Sequence, residues 1–313
     1  MSSITVAQLV ADNQAKLGLR WVVGDGAATR RIDAEALINS PNGMVGHLNF
    51  IHPNWIQVLG TTELAYLQHL EPSTLDHHFE QLFGAAPLLL VVADDAPVPA
   101  FLEEACRRNH TLLAATDQPT IPFMTLLRGY LTLRLAQSTS VHGVCLDVLG
   151  MGVIITGDSG SGKSELGLEL ISRGAGLVAD DVVDLYRIGQ DTLQARCPSL
   201  LRDFLEVRGL GVLNIRTIFG ETSVRPNKNV RLVIHLANVR HVDQAPMERL
   251  PLNASTIEIL GVKVAKVTIP VAAGRNLAVL VEAAVRNTVL LLRGMDSNRE
   301  LAERQAKMIA AGE

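Results

Sequence analysis

Short apolar runs alternate with stretches of helical spacing in the first third of the chain. The run LLLVVADD (88–95) stays apolar up to its two aspartates, which predicts a buried strand. PAFLEEACRRNH (99–110) has helical spacing, and TLLAAT (111–116) predicts the next strand. The order strand, helix, strand indicates a parallel α/β layer.

Polar residues mark the ends of two of these predicted elements. TTELAYLQHL (61–70) predicts a helix with Thr61 or Thr62 as its N-terminal cap. Asp94 and Asp95 end the apolar run described above. Carboxylates at a strand end can bind ligands, but no glycine loop or basic group stands beside this pair. We therefore interpret the two aspartates as part of a solvated turn.

The segment PFMTLLRGYLTLRLAQ (122–137) predicts a linking helix, which the polar residues 138–140 end. We place a domain boundary at this point, with an N-terminal α/β domain over 1–137 and a second domain over 138–313. The segment that follows, VHGVCLDVLGMGVIITG, predicts two strands joined by the glycine turn LGMG (149–152).

The remainder of the second domain is also predicted to mix strands and helices. The pattern predicts a helix over about 163–173 that Gly174 ends, a short strand in GLVADD (176–181), an irregular region over 197–216, a strand in VRLVIHL (230–236), strands within 255–271 and a long helix from Asn276 to about Arg293. Asn276 is the residue type that caps a helix N-terminus.

A loop rich in glycine and serine lies between the apolar strand VIIT and the helix over 163–173. Its residues fit the pattern G-x-x-x-x-G-K-[ST]: Gly157, Asp158, Ser159, Gly160, Ser161, Gly162, Lys163 and Ser164. Glycines permit positive φ, so successive N–H groups can point into one concavity, to which the helix N-terminus adds its dipole. Lys163 can reach phosphates and the Ser164 hydroxyl can bind Mg²⁺. The loop therefore predicts binding of a nucleotide or another polyphosphate.

Two carboxylates follow the next apolar strand, in LVADD. Asp180 and Asp181 are either an ordinary acidic strand end or the carboxylates that hold Mg²⁺ or orient a nucleophile beside bound phosphate. The two interpretations have equal weight when the pair is taken alone. A metal-phosphate site needs a carboxylate nearby, and this pair is the nearest candidate downstream of the loop.

Weaker signals surround the same loop. In LEVRGLGVLN (205–214), Glu206 and Arg208 could contact a metal and a phosphate, although a surface ion pair beside a bulge is the plainer interpretation. His142 precedes the strands that lead to the loop, so phosphate contact competes with a purely structural role. Arg275 precedes the helix that Asn276 caps, which is an anion-friendly position as well as an ordinary helix start.

Composition narrows the class of protein. The chain has 313 residues, a formal net charge of −4 and 48% hydrophobic residues, which favours a folded core over disorder. Its three cysteines are widely spaced, so we expect reduced, buried thiols. The N-terminus does not have a signal-peptide pattern, and no apolar run reaches the ~18 residues of a membrane span. We expect a cytoplasmic protein that binds neither nucleic acid nor membranes.

The motifs together resemble one family. GDSGSGKSELGLEL, then ADD, then LEVRGLG, with VHG upstream and GRN downstream, is similar in order and spacing to the bacterial HPr kinase/phosphorylase family over roughly 138–290. The resemblance implies an α/β N-terminal domain and a C-terminal P-loop kinase domain related to phosphoenolpyruvate carboxykinase. It also implies a homohexamer.

The resemblance implies a bifunctional enzyme. Members of the family phosphorylate a seryl residue of HPr, the small phosphocarrier protein of the sugar phosphotransferase system, with ATP or pyrophosphate and Mg²⁺. They also reverse this step by phosphorolysis, in which inorganic phosphate attacks phosphoserine-HPr and pyrophosphate forms.

The resemblance further implies a role for individual residues. Lys163 and the loop amides hold the phosphate chain, while Ser164 and Glu206 hold Mg²⁺. Asp181 is the base that takes the seryl proton and the acid of the reverse step. Its neighbour Asp180 should raise the pKa of one of the pair. His142 matches an active-site histidine that controls Asp181 or the incoming phosphate.

Three further assignments come from the same resemblance. Arg249, in the segment PMERL, matches an active-site arginine. The segment PVAAGR matches a loop tied to dephosphorylation, which comprises Pro270, Val271, Ala272, Ala273, Gly274 and Arg275. Ser161 stands where valine is common in the family. Because that position contributes only its backbone, we expect no change in activity.

Two rival functions use the same loop. A small-molecule or carboxykinase-like P-loop phosphotransferase would need a compact basic cluster for a small acidic substrate, and the sequence does not suggest one. A nucleotide switch that hydrolyses ATP slowly would need a water-positioning glutamine or a similar residue near the loop, which is not evident either.

Overall fold

The computed structural model describes residues 3–24, 29–34, 43–238, 255–272 and 274–311, and the structural statements below concern these residues. The chain divides into two compact units, Met1–Ala136 and Gln137–Glu313. Within the described ranges, no helix is both long and apolar enough to cross a membrane.

Within its described residues, the first unit is built on a five-stranded sheet with the order β2-β7-β6-β5-β4. Its strands are β2 (Arg20–Val23), β4 (Val45–His47), β5 (Ile56–Leu59), β6 (Leu89–Val92) and β7 (Leu112–Ala115), and a separate antiparallel pair consists of β1 (Ser3–Thr5) and β3 (Arg31–Asp33). Strands β4 to β7 run parallel, and β2 pairs antiparallel with β7. This confirms the predicted parallel α/β layer.

Helices cover both faces of this sheet. Every residue of β5 and β6 is therefore buried. The helices are α1 (Val6–Leu17), α2 (Thr61–Gln68), α3 (Pro72–Gly84), α4 (Ala100–Arg108) and α5 (Thr120–Arg134). One apolar layer joins Val58 and Val91 to Leu9 and Phe123. The other layer packs the opposite side of the strands against α2, α3 and α4.

The cap of α2 differs from the prediction, because neither Thr61 nor Thr62 caps it. The Asp94 carboxylate instead accepts the N–H of Thr61 at 3.0 Å and the N–H of Thr120 at 2.7 Å, so it serves the N-termini of α2 and α5. Burial alone would raise the pKa of Asp94, but these hydrogen bonds outweigh it and lower the pKa. Asp94 and Asp95 lie in a turn, as interpreted, and Asp95 is exposed, but Asp94 has a capping role that the sequence did not indicate.

The second unit contains a nine-stranded mixed sheet in its described residues, with the path β11-β9-β10-β16-β13-β12-β8 and with β18 and β17 joined beyond β16. Its strands are β8 (Ser138–His142), β9 (Val144–Val148), β10 (Met151–Gly157), β11 (Gly176–Ala179), β12 (Val182–Ile188), β13 (Thr192–Arg196), β16 (Asn227–Asn238), β17 (Thr256–Ile259) and β18 (Val262–Val271). Strands β10, β16 and β18 are parallel, so their carboxyl ends meet at one edge of the sheet.

The described residues of this unit contain four α-helices: α6 (Lys163–Ser172), α7 (Ile215–Phe219), α8 (Leu277–Leu292) and α9 (Ser297–Ala311). Leu166 and Leu170 of α6 and Val281 of α8 pack on the central strands in one apolar cluster. The Asn276 side chain accepts the N–H of Val279 at 3.1 Å, which confirms the predicted cap of α8.

Two segments of this unit differ from the prediction. Residues 138–140 do not merely end a helix, since they begin β8, which pairs with β12. The region predicted as irregular, 197–216, contains an antiparallel hairpin of β14 (Phe204–Val207) and β15 (Gly211–Asn214). The three cysteines of the chain are free and buried, as predicted.

Candidate active site

The glycine-rich loop connects β10 to α6 at the edge where the parallel strands end. A Cβ on Gly157 would lie 2.8 Å from the carbonyl oxygen of Leu236, so only glycine lets β10 approach β16 this closely. Gly162, the residue before α6, has a φ of 84°, a value that side chains with a Cβ rarely adopt. The loop therefore needs glycine at both of its ends.

The Lys163 side chain is buried beneath this loop. Its ammonium group donates hydrogen bonds to the carbonyl oxygens of Gly157 at 3.1 Å and Asp158 at 3.0 Å. An ammonium group has three donors, so these two bonds fix its position while one N–H remains for a ligand oxygen.

Asp180 is buried between the loop helix and the hairpin. Its carboxylate accepts the Ser164 hydroxyl at 3.3 Å and the Glu206 N–H at 2.8 Å. Burial raises the pKa of Asp180 despite these hydrogen bonds, and the charge of Asp181 adds a smaller contribution in the same direction. One carboxylate of the pair thus has the raised pKa that was predicted, but burial is the main cause.

Asp181 differs from its neighbour in both backbone and exposure. Its φ is 64°, and a hydrogen bond of 2.8 Å from the Val182 N–H to the Asp180 carbonyl closes a tight turn around it. Such three-residue turns with positive φ are rare and strained. The turn directs the two carboxylates to different surroundings, and the exposed Asp181 carboxylate lies 3.0 Å from Nδ1 of His142.

The hairpin of β14 and β15 forms a further wall of the site. A nitrogen of the Arg208 guanidinium lies 3.6 Å from the position that a Cβ on Gly160 would take, so this cation stands over the loop. No ion pair joins Glu206 to Arg208 in the described part of the chain. The plainer interpretation of these two residues as a surface ion pair beside a bulge is therefore wrong.

These elements enclose an open cavity of about 390 Å³. The predicted residues that line it are His142, Ser159, Gly160, Gly162, Lys163, Ser164, Asp180, Asp181 and Glu206. Arg208 also lines it, and so does Glu165, which the sequence did not single out. Glu165 follows the loop motif directly, and its place in the first turn of α6 is the only signal that could have indicated it.

Other predicted residues lie elsewhere. Gly157, Asp158 and Ser161 belong to the loop but do not line the cavity. The residues described between Pro270 and Arg275 do not line it either, because β16 separates β18 from β10 by two strand spacings, roughly 10 Å. Arg249 and Ala273 lie outside the described residues.

The donor set of the cavity suits Mg²⁺. Ser164, Asp180 and Glu206 offer one hydroxyl and two carboxylates, the oxygen ligands that this ion prefers. No group of three His, Cys, Asp or Glu side chains in the described ranges forms a complete metal site.

Comparison with known proteins gives a consistent result over the whole chain. Residues 4–131 match the family of the HPr Serine kinase N terminus, and residues 133–305 match the HPr Serine kinase C-terminal domain. The HPr kinase/phosphorylase of Chromobacterium violaceum is 53% identical over 310 residues, which cover 99% of this chain and 97% of that protein. That of Nitrosomonas europaea is 51% identical, with 99% and 96% covered.

A solved structure was also found, that of the Hpr(Ser) kinase/phosphatase from Coxiella burnetii. It is 38% identical and aligns with 52% of this chain and 98% of its own length at a TM-score of 0.46. On the two family matches and the full-length relatives, the chain belongs to the HPr kinase/phosphorylase family.

Proposed function

We propose that this chain phosphorylates a seryl hydroxyl of HPr with ATP or pyrophosphate, and that it removes the phosphoryl group again by phosphorolysis. One observation carries the proposal: the loop with Lys163 and Ser164 shares a single cavity with the Asp181–His142 pair. A phosphate-holding group and a proton-accepting group must face each other in a kinase site.

The glycine-rich loop acts as a P-loop. Its amides and the remaining Lys163 N–H hold the phosphate chain, and Arg208 above Gly160 adds a second cation. On the family resemblance, we extend this to a kinase domain related to phosphoenolpyruvate carboxykinase and to a homohexamer, which light scattering of the purified chain would test.

Ser164 and Glu206 would hold Mg²⁺, with Asp180 beside them. When bound, the ion supplies charge neutralisation for the phosphoryl oxygens. Burial makes an uncompensated carboxylate at Asp180 costly, so the Ser164 hydroxyl and the Glu206 N–H hold its two oxygens in place. Asp180 thereby positions the Ser164 hydroxyl and the backbone of Glu206.

In the kinase direction the seryl oxygen attacks the terminal phosphorus, and the bond from that phosphorus to the bridging oxygen breaks. Asp181 accepts the seryl proton as the new P–O bond forms. His142 contacts one oxygen of the Asp181 carboxylate at 3.0 Å, which orients the group and leaves its second oxygen to take the proton.

In phosphorolysis an oxygen of inorganic phosphate attacks the phosphorus of phosphoserine. The bond from phosphorus to the seryl oxygen breaks, and pyrophosphate forms. Asp181, now protonated, returns its proton to the seryl oxygen, so one carboxyl group serves as base in one direction and as acid in the other.

The segment 270–275 provides a phosphate contact for the reverse direction. Its first two residues end β18, whose carboxyl end lies at the same edge of the sheet as the loop. We expect Arg275→Ala to lower the rate of phosphorolysis more than the rate of phosphorylation, because phosphate enters as a separate nucleophile only in phosphorolysis. Arg293→Ala, beyond the far end of α8, is the matched control, and equal losses in both directions would contradict the role.

Arg249 remains an active-site arginine on the family resemblance alone.

The rival functions find less support. A small-molecule or carboxykinase-like phosphotransferase would not account for full-length relatives that are named HPr kinase/phosphorylase. A slow nucleotide switch has no use for the exposed Asp181–His142 pair, which is placed to exchange a proton with a substrate.

The direct test uses purified chain, HPr, ATP and Mg²⁺, with HPr analysed by mass spectrometry. We expect one added phosphoryl group on a serine, and its loss with release of pyrophosphate when excess inorganic phosphate replaces ATP. ATP turnover without any mass change of HPr would contradict the proposal and favour the switch.

A further inference from the structure

The hairpin beside the cavity has two chemically different faces. In its register Glu206 pairs with Val212 and Phe204 pairs with Asn214, while Leu205 pairs with Leu213. Directly paired residues of antiparallel strands point to the same side. Phe204, Glu206 and Val212 therefore share one face, and Leu205 and Leu213 share the other.

The face that carries Leu205 and Leu213 packs against the apolar core of the unit. Leu205 and Val207 are buried, and Leu213 packs against the same apolar core as α6 and α8. The first face is left to solvent, where Val212 is 64% and Phe204 is 40% exposed. Leu210, at the tip of the hairpin, is 66% exposed. We call these three side chains, Phe204, Leu210 and Val212, the apolar rim.

The apolar rim borders the cavity. Glu206, between Phe204 and Val212 on the same face, lines the cavity, as do Gly209 and Gly211 on either side of Leu210. The Glu206 N–H is bonded to Asp180, the chain neighbour of Asp181. The acceptor hydroxyl must come to Asp181, which lines the same cavity as Glu206, Gly209 and Gly211, so a protein that carries this hydroxyl comes close to the hairpin.

Phosphates and Mg²⁺ gain nothing from exposed aliphatic side chains at the mouth of their site. A protein acceptor does gain binding free energy from them, because apolar side chains beside its serine lose contact with water when they meet Leu210 and Val212. We propose that the apolar rim is a docking surface for apolar side chains next to the acceptor serine of the protein substrate. This inference rests on the function proposed above.

The test is steady-state kinetics with HPr as acceptor, on the full chain. Val212→Thr keeps the shape of the side chain and its preference for a strand, and Leu210→Gln keeps its length. We expect the double variant to raise the KM for HPr about tenfold or more, the loss that partial burial of two aliphatic side chains implies. The kcat and the KM for ATP should stay unchanged, and each single variant should show part of the effect.

Leu149→Gln is the matched control, since Leu149 is 54% exposed at the opposite end of β10 from the loop. A double variant whose KM for HPr equals that of the control would overturn the inference while the proposed function stands. A raised KM for ATP alone would also overturn it and assign the rim to the nucleoside. Absence of HPr phosphorylation by the unaltered chain would overturn the proposed function, and this inference with it. Thermal unfolding of every variant checks that the hairpin is intact.

Discussion

The neighbouring aspartates of this site, Asp180 and Asp181, lie in different surroundings. Asp180 is buried and fully engaged by Ser164 and Glu206, whereas Asp181 is exposed and contacts only His142 through its side chain in the described part of the chain. The motif ADD predicts the pair of aspartates. Which of them is buried and held in place depends on the Glu206 N–H, 26 residues away. No local pattern carries that information.

The Ser161 side chain can be tested by removing its hydroxyl. Its hydroxyl is buried and has no hydrogen-bond partner among the described residues, and the residue does not line the cavity. A buried hydroxyl without a partner costs stability, about 1 kcal/mol or more. We expect Ser161→Ala to leave the kinase rate unchanged and to keep or raise the midpoint of thermal unfolding. A tenfold loss of kcat/KM for ATP would show instead that the hydroxyl acts on the nucleotide.

Individual elements were predictable where a local signal sets them. The helix after the loop and the cap at Asn276 follow from spacing and residue type, and both were found. The hairpin was missed because Gly209 and Gly211 interrupt its alternation. The cap of α2 was missed because Asp94 lies 33 residues from Thr61. Contacts between distant segments decide such cases.

Asp94 joins the N-termini of two helices, which makes a test at this scale possible. Asn has only one acceptor oxygen, so Asp94→Asn loses one of the two backbone bonds and the charge. We expect a loss of about 1–2 kcal/mol in the free energy of unfolding at pH 7, the usual cost of a removed cap. Asp95→Asn is the matched control, because Asp95 is exposed and its backbone conformation also suits asparagine.

The pH dependence of this difference follows from the lowered pKa of Asp94. A carboxyl whose pKa is lower in the folded state stabilises the fold fully above its unfolded pKa, about 3.9, and loses that effect as the pH falls through the folded value. The difference in the free energy of unfolding between the unaltered chain and Asp94→Asn should therefore become smaller below about pH 4. Urea unfolding at pH 7 and pH 3 measures it, and a gap of constant size would contradict the account.

At the scale of the whole molecule, the site is assembled from segments far apart in the chain. The strand order brings residues 142, 159–160, 162–164, 180–181 and 206 to one cavity. The glycine loop and its neighbouring carboxylates could be predicted, because each has a local motif. Two other features could not be predicted: the position of Arg208 over the loop, and the apolar rim. Both depend on the register of a hairpin that the sequence pattern does not reveal.

In the proposed mechanism one carboxyl group, that of Asp181, exchanges the proton in both directions of one phosphoryl transfer. Asp181→Asn tests it most directly. Asparagine tolerates the φ of 64° at this position, so the turn should persist while proton exchange is lost. We would measure phosphorylation of HPr, phosphorolysis of phosphoserine-HPr, and ATP affinity by calorimetry. We expect losses of roughly 10²–10⁴-fold in both rates with unchanged ATP affinity. Near-normal phosphorylation by the variant would contradict it and make Asp180 the candidate base.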